Sequence, residues 1–204
     1  MEKNIAFIWD LDGTLFDSYD AILAGLEETY EHFGLDFDRP AIKEYILKFS
    51  VKDLIKEVAD KEGLDYDDMQ AFRANSLREK NAAIHLMPGA RDVLDWTVEQ
   101  GISNFVYTHK GKNTHQLLQN LGIATYFKEV LTADSGFARK PDPEALNYLI
   151  ETYRLEKDST YYVGDRLLDV QTALRAGIGS INLVVDTIEK NQKIICLSDI
   201  LGLF

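Results

Sequence analysis

Five short apolar runs, alternating along much of the chain with stretches of helical period, limit it to few architectures. They are Ile5–Trp9, Asn104–Thr108, Glu129–Thr132, Tyr161–Gly164 and Ser180–Val184. Each is too short, and most are too rich in β-branched and aromatic residues, to be a helix, so each reads as a buried strand. Between the later runs the spacing predicts helices over 90–100, 113–120, 142–152 and 167–176. Gly101 and Gly177 follow two of these, where a helix ends most easily on a residue tolerant of positive φ. Pro143 is expected in the first helical turn, where its missing N–H removes no bond. Strand–helix–strand alternation implies an α/β fold: a parallel sheet with right-handed crossovers and helices on both faces.

The stretch from Asp17 to His85 breaks this alternation. It shows no convincing strand, and helical spacing recurs over 19–33, 41–47, 52–61 and 67–83, punctuated by Gly34, Pro40, Phe49-Ser50 and Gly63. The expected organisation is therefore a core of residues 1–16 and 86–204 with a helical unit, 17–85, inserted after the first strand. Linkers fall near Phe16–Tyr19 and His85–Gly89.

Charge and cysteine content narrow the function classes. A formal net charge of −12 argues against nucleic acid or an anionic membrane surface as partner, since both call for a basic face. Residues 17–85 carry 16 acidic and 9 basic side chains, so the excess is heaviest in the insertion. The lone Cys196 excludes an internal disulfide framework, and no Cys/His cluster has zinc spacing. No apolar run approaches membrane-helix length, and the amino end leads directly into a strand without signal-peptide architecture. A cytoplasmic location is expected.

Four strand ends carry residues suited to chemistry. Asp10-Leu11-Asp12-Gly13-Thr14 follows the first run at once, at the carboxyl end of a strand, where open α/β sheets bind ligands. Asp36/Asp38 and Asp65/Asp67 repeat the Asp-x-Asp spacing, but in polar stretches between helices, and read as caps or turns. Gly164-Asp165-Arg166-Leu167-Leu168-Asp169 follows the fourth run, with Asp165 and Asp169 one helical turn apart and able to face one point. Four converging carboxylates repel unless compensated, and a hard divalent cation such as Mg²⁺ resolves that repulsion. Thr108 ends the second run, where a hydroxyl and the turn amides could bind a phosphate oxygen. Lys140 lies on a loop stiffened by Pro141, where its charge would meet carboxylates and an anion.

In this order and at these positions, the four pieces resemble the motifs of the haloacid dehalogenase superfamily of phosphohydrolases, across essentially the whole chain. Asp10–Leu15 is similar to the first motif, Thr108 to the second, Lys140 to the third, and Gly164-Asp165 through Asp169 to the fourth. The helical insertion resembles the family's C1-type cap, as in the phosphoglycolate phosphatase-like and β-phosphoglucomutase-like branches. The resemblance implies a Rossmann-like core and a small phosphorylated metabolite as substrate. It implies Asp10 as nucleophile, forming an aspartyl-phosphate, and Asp12 as general acid and base. It further implies Mg²⁺ held by the Asp10 carboxylate, the Asp12 backbone carbonyl and Asp165, with Asp169 in support. Thr108 and the amide of His109 would bind phosphate oxygens, and Lys140 would stabilise nucleophile and phosphoryl group.

Two residues depart from the family pattern. His109 stands where Asn is common, and the expectation is that only its amide is used. Arg166 replaces a small hydroxyl residue and could face solvent or approach the cap. In the cap, Lys48, Ser50 and Lys52 are candidate substrate contacts, two cations near a hydroxyl. His32, His85 and His115 read as surface or packing residues. The competing functions are a phosphomutase of the β-phosphoglucomutase type and a non-catalytic binding module that kept the fold. Oligomeric state is not legible in the sequence.

Overall fold

The computed structural model describes residues 4–204. From the amino end the elements run β1 (Ala6–Trp9), β2 (Phe16–Asp17), α1 (Tyr19–His32), α2 (Arg39–Lys48), α3 (Val51–Glu62), α4 (Tyr66–Lys80), β3 (His85–Leu86), α5 (Ala90–Glu99), β4 (Ser103–Tyr107), α6 (Thr114–Asn120), β5 (Phe127–Leu131), α7 (Glu144–Tyr153), β6 (Thr160–Gly164), α8 (Leu167–Ala176), β7 (Gly179–Asn182) and β8 (Asn191–Lys193). The chain forms two compact units. One is built from the segment ending at Asp17 together with His85–Phe204, the other from Ser18–Ile84.

The first unit is a six-stranded sheet in the order β5-β4-β1-β6-β7-β8. Every pairing in it is parallel, so the α/β reading holds. All four residues of β1 are buried, as expected of a central strand covered on both faces. Alternation divides them. Ala6 and Ile8 join a core with Phe105 and Tyr162 of the sheet, Leu146 and Leu149 of α7, and Ala173 of α8. Trp9 faces the other way: its indole N–H donates to Asn104 Oδ1 at 2.9 Å, and Asn104 donates to Thr97 of α5 at 2.6 Å. Helices therefore lie on both faces. The order of the strands reverses at β1, because the chain moves outward through β4 and β5 and then returns to β6 on β1's other side. Such a reversal opens a crevice at the carboxyl ends of the central strands.

The second unit is helical. Leu23, Leu26, Ile55 and Met69 are fully or almost fully buried at its centre. Three of its helices, α2, α3 and α4, start on side-chain caps. Asp38 accepts from Ala41 N, Ser50 from Asp53 N and Asp65 from Asp68 N, each satisfying an amide the helix cannot. Asp38 and Asp65 are thus caps, as their positions in the sequence implied. Gly63, at φ 67°, ends α3 in the left-handed conformation that disfavours other residues.

The sequence reading missed three strands. β2 and β3 pair antiparallel, Phe16 with Leu86 and Asp17 with His85, at the two points where the chain leaves and re-enters the α/β unit. They are two residues each, below the length at which a pattern shows. β8 is Asn191-Gln192-Lys193, an edge strand with no apolar run to mark it. The helix expected from residue 142 begins instead at Glu144, with Pro143 at its N-cap and not in its first turn. Pro143 keeps Asp142 from adopting the helical conformation, so the helix cannot start earlier. The helix expected over 67–83 gives way after Lys80 to a short 3-10 turn at Asn81–Ala83. Among the described residues no helix is long and apolar enough to cross a membrane.

Candidate active site

Asp10 stands one residue beyond β1, and its backbone N–H still donates to Val163 O of β6 at 2.9 Å. The sheet therefore fixes its position. Its carboxylate is buried: Oδ1 accepts from Leu11 N at 2.8 Å, and Oδ2 lies 3.0 Å from Lys140 Nζ and 3.8 Å from Arg166 Nη2. Burial pushes the Asp10 carboxyl above the usual carboxylate range; Lys140 pulls it back and the neighbouring Asp169 pushes it further up.

Lys140 lies on the loop between β5 and α7, and its side chain is completely buried. Nζ lies 2.8 Å from Asp169 Oδ1 as well as beside Asp10. It also rests over the faces of Tyr107 and Tyr162, at 5.3 and 5.1 Å from the ring centroids. A buried ammonium needs such compensation, and two carboxylates with two aromatic faces provide it. The phenols are themselves engaged, Tyr162 donating to Tyr107 O and Tyr107 to Ala138 O. Burial pushes the Tyr107 phenol up to about 12, so it remains a donor throughout the ordinary pH range.

Asp169 lies in the first turn of α8. Its Oδ2 accepts the amides of Asp165 and Arg166 at 3.2 and 2.9 Å. Burial alone would raise it, but Lys140, Arg166 and these hydrogen bonds outweigh burial and hold it below the usual carboxylate range. Thr14 donates to Asp165 Oδ1 at 3.4 Å, which ties the loop after β1 to the end of β6. Carboxylate oxygens of Asp10, Asp165 and Asp169 all lie within 4.8 Å of one another, and all three residues are buried. Among the described residues, Asp10 Oδ2 is held only by the cations Lys140 and Arg166 and accepts no backbone amide. An all-oxygen donor set of three converging, buried carboxylates fits a hard divalent cation. Asp169, already holding Lys140 and two amides, suits the supporting position better than a direct one.

Thr108 is buried at the end of β4, its amide bonded to Leu131 O of β5 and its hydroxyl accepting from Lys110 N at 3.2 Å. Asp12, Thr108, His109 and Lys140 thus belong to the same unit as the carboxylate cluster. Lys48, Ser50 and Lys52 belong to the helical unit. There Lys48 Nζ sits 5.3 Å over the Phe49 ring, Ser50 caps α3, and Lys52 is exposed in the first turn.

Three contacts escaped the sequence reading. Lys110 Nζ pairs with Asp12 Oδ1 at 2.9 Å, nearly buried, although 98 residues separate the two. Arg166 does not face solvent: its side chain is largely buried and reaches toward Asp10. His109 contributes more than an amide, because its ring Nε2 accepts the backbone N–H of Lys140 at 2.9 Å. Tyr107 and Tyr162 read as core aromatics and are also the floor beneath Lys140. No local signal marks the Lys110 and Arg166 pairs; a cation directly beside a strand-end motif is the only available hint.

Fold and site together define an α/β enzyme whose buried carboxylates and cations converge where the strand order reverses. Residues 7–183 match the family described as haloacid dehalogenase-like hydrolases, and the chain belongs to that family. It is 29% identical over 173 residues to the pyrophosphatase PpaX of Oceanobacillus iheyensis, covering 84% of this chain and 79% of that protein. It is 29% identical over 197 residues to the phosphoglycolate phosphatase of Vibrio parahaemolyticus, covering 89% of this chain and 83% of that one. In fold it is similar to a HAD-superfamily hydrolase of subfamily IA from Geobacter sulfurreducens, with TM-score 0.78 at 23% identity over 99% and 97% of the two chains.

Proposed function

We propose that the chain is a Mg²⁺-dependent phosphatase of a small phosphorylated metabolite, working through an aspartyl-phosphate on Asp10. The observation that carries this reading is the setting of Asp10. One of its oxygens is held by the Leu11 amide, and the other faces Lys140 and Arg166 amid the oxygens of Asp165 and Asp169. A carboxylate so oriented can attack phosphorus as the bond to the leaving oxygen breaks, giving the acyl phosphate. Asp12 delivers a proton to that leaving oxygen, then takes one from the water that attacks phosphorus and releases Asp10. Lys110 fixes the orientation of the Asp12 carboxylate for both transfers. Thr108 and the amide of His109 bind the phosphoryl oxygens, and Lys140 balances charge on the group in transfer. Asp10, the Asp12 carbonyl and Asp165, supported by Asp169, would hold the Mg²⁺, which would supply neutralisation of phosphoryl charge and alignment for in-line attack.

The relatives named for pyrophosphate and phosphoglycolate chemistry suggest a phosphoryl group joined to a second anionic group. Lys48 and Lys52 of the helical unit are proposed readers of that second group, with Ser50 a weaker one because its hydroxyl already caps α3. The site's chemistry suits a metabolic enzyme of the cytoplasm. The test is release of phosphate from p-nitrophenyl phosphate and from a panel of phosphorylated metabolites. Turnover should require Mg²⁺, stop with EDTA, and vanish in Asp10→Asn; Lys48→Ala and Lys52→Ala should raise KM for the preferred metabolite alone. Equal turnover by wild type and Asp10→Asn overturns the mechanism.

A further inference from the structure

The loop from residue 132 to 143 carries Lys140 to the centre of the site without a helix or strand of its own. What holds it comes in large part from the end of β4. Tyr107 donates its hydroxyl to Ala138 O at 2.9 Å, and two residues on, His109 Nε2 accepts the backbone N–H of Lys140 itself at 2.9 Å. We propose that His109 is a positioning residue: its neutral ring, protonated on Nδ1, grips the Lys140 backbone and so sets that ammonium against Asp10. The inference rests on the phosphatase reading above and adds to it a role for a side chain with no place in the mechanism.

The geometry dictates the tautomer. A ring nitrogen that accepts an N–H must offer a lone pair, so the proton lies on Nδ1. Burial, together with the charges of Lys140, Arg139 and Arg166, opposes a second proton, and the ring stays neutral. Nδ1 is buried and makes no hydrogen bond among the described residues. A ring present only to fill space would leave that polar atom for no return, whereas Leu would fill similar space without it. The Nε2 bond is what the imidazole adds. Lys140 Nζ must lie 3.0 Å from Asp10 Oδ2 and 2.8 Å from Asp169 Oδ1, and a loop released at its backbone loses that placement.

Two measurements on the full chain test this. In steady-state hydrolysis of p-nitrophenyl phosphate, His109→Leu should lower kcat by about tenfold or more with KM nearly unchanged. His109→Gln, whose Oε1 can stand in for Nε2, should recover most of that loss. In a Lys140→Ala background, His109→Leu should change kcat by less than about twofold, because its effect passes through Lys140. An unchanged kcat, a change confined to KM, or independent multiplication of the two losses overturns the proposal. Separately, ¹⁵N NMR of wild-type protein should show His109 protonated on Nδ1 and bare on Nε2; a proton on Nε2 overturns it. The NMR result does not depend on turnover. A wild type that releases no phosphate defeats the phosphatase reading, while the tautomer still decides the role of His109.

Discussion

Lys140 gathers the electrostatics of the site at one atom, and its two carboxylate partners respond in opposite directions. Asp169 has hydrogen bonds to spare and is held below the usual carboxylate range, whereas Asp10 is pushed above it by burial. A depressed carboxyl adds stability above its unfolded pKa of about 3.9 and loses it as pH falls through the folded value. A raised one does the reverse: its cost sets in as pH climbs from about 3.9 through the folded value and persists at neutral pH. In EDTA at pH 7, Asp10→Asn should therefore raise the melting temperature while abolishing turnover, and the gain should disappear below about pH 4. Asp169→Asn should instead cost about 3 kcal/mol, since its single remaining oxygen can serve either the buried Lys140 ammonium or the two amides and its NH2 then faces the other as a donor. Thermal denaturation of the two variants against wild type over this pH range checks both signs. A destabilised Asp10→Asn at pH 7 would show that its pairing outweighs its burial.

The elements explain what the sequence could reveal and what it could not. β1, β4 and β6 were legible because burial on both faces leaves a largely apolar run. β5, an edge strand only partly buried, and β7 showed instead by short apolar stretches within a regular strand–helix spacing. Asp10, Thr108 and Asp165 were legible because each directly follows a buried strand. The Lys110–Asp12 pair was not, since its members belong to loops after different strands and meet only when β1 and β4 are laid side by side. His109 looked expendable because an amide can be inferred from position, but the reach of a ring to a loop 31 residues away cannot. Gly164 carries the same lesson at the junction of β6 and α8. A Cβ there would lie 2.5 Å from Asp169 Cβ, Cγ and Oδ2. Asp169 cannot step aside, because Lys140 and the amides of Asp165 and Arg166 pin both its oxygens. Gly164→Ala should accordingly cost about 2 kcal/mol in stability and take activity with it. Gly202→Ala, where a Cβ meets nothing within 4 Å, should leave both unchanged. Urea denaturation and p-nitrophenyl phosphate turnover of the two variants make the comparison.

At the scale of the molecule, two cores share one chain and only one of them holds the carboxylate cluster. Asp10, Asp165 and Asp169 all belong to the α/β unit, so the proposed Mg²⁺ binding there would stabilise that unit by mass action, by about 2.7 kcal/mol at a hundredfold excess over Kd. The helical unit, Ser18–Ile84, has its own apolar centre in Leu23, Leu26, Ile55 and Met69, and a domain of that size keeps only a thin margin of stability. It also carries 15 acidic against 9 basic side chains, a surface that attracts Mg²⁺ diffusely without building a site. Hydrogen exchange read element by element separates the two effects. Without metal, amides of α1 to α4 should exchange faster than those of β1, β4 and β6, because exchange follows local opening and the helical unit opens at lower cost. Millimolar Mg²⁺ should slow exchange in β1, β6 and α8, where the carboxylates are anchored, and leave Ser18–Ile84 nearly as it was. In Asp165→Asn the slowing in the sheet should vanish at the same Mg²⁺ concentration, while any diffuse effect on the acidic helices survives. Slowing spread evenly over both units, and equal in wild type and Asp165→Asn, would assign the metal to the molecule's bulk charge and not to its site.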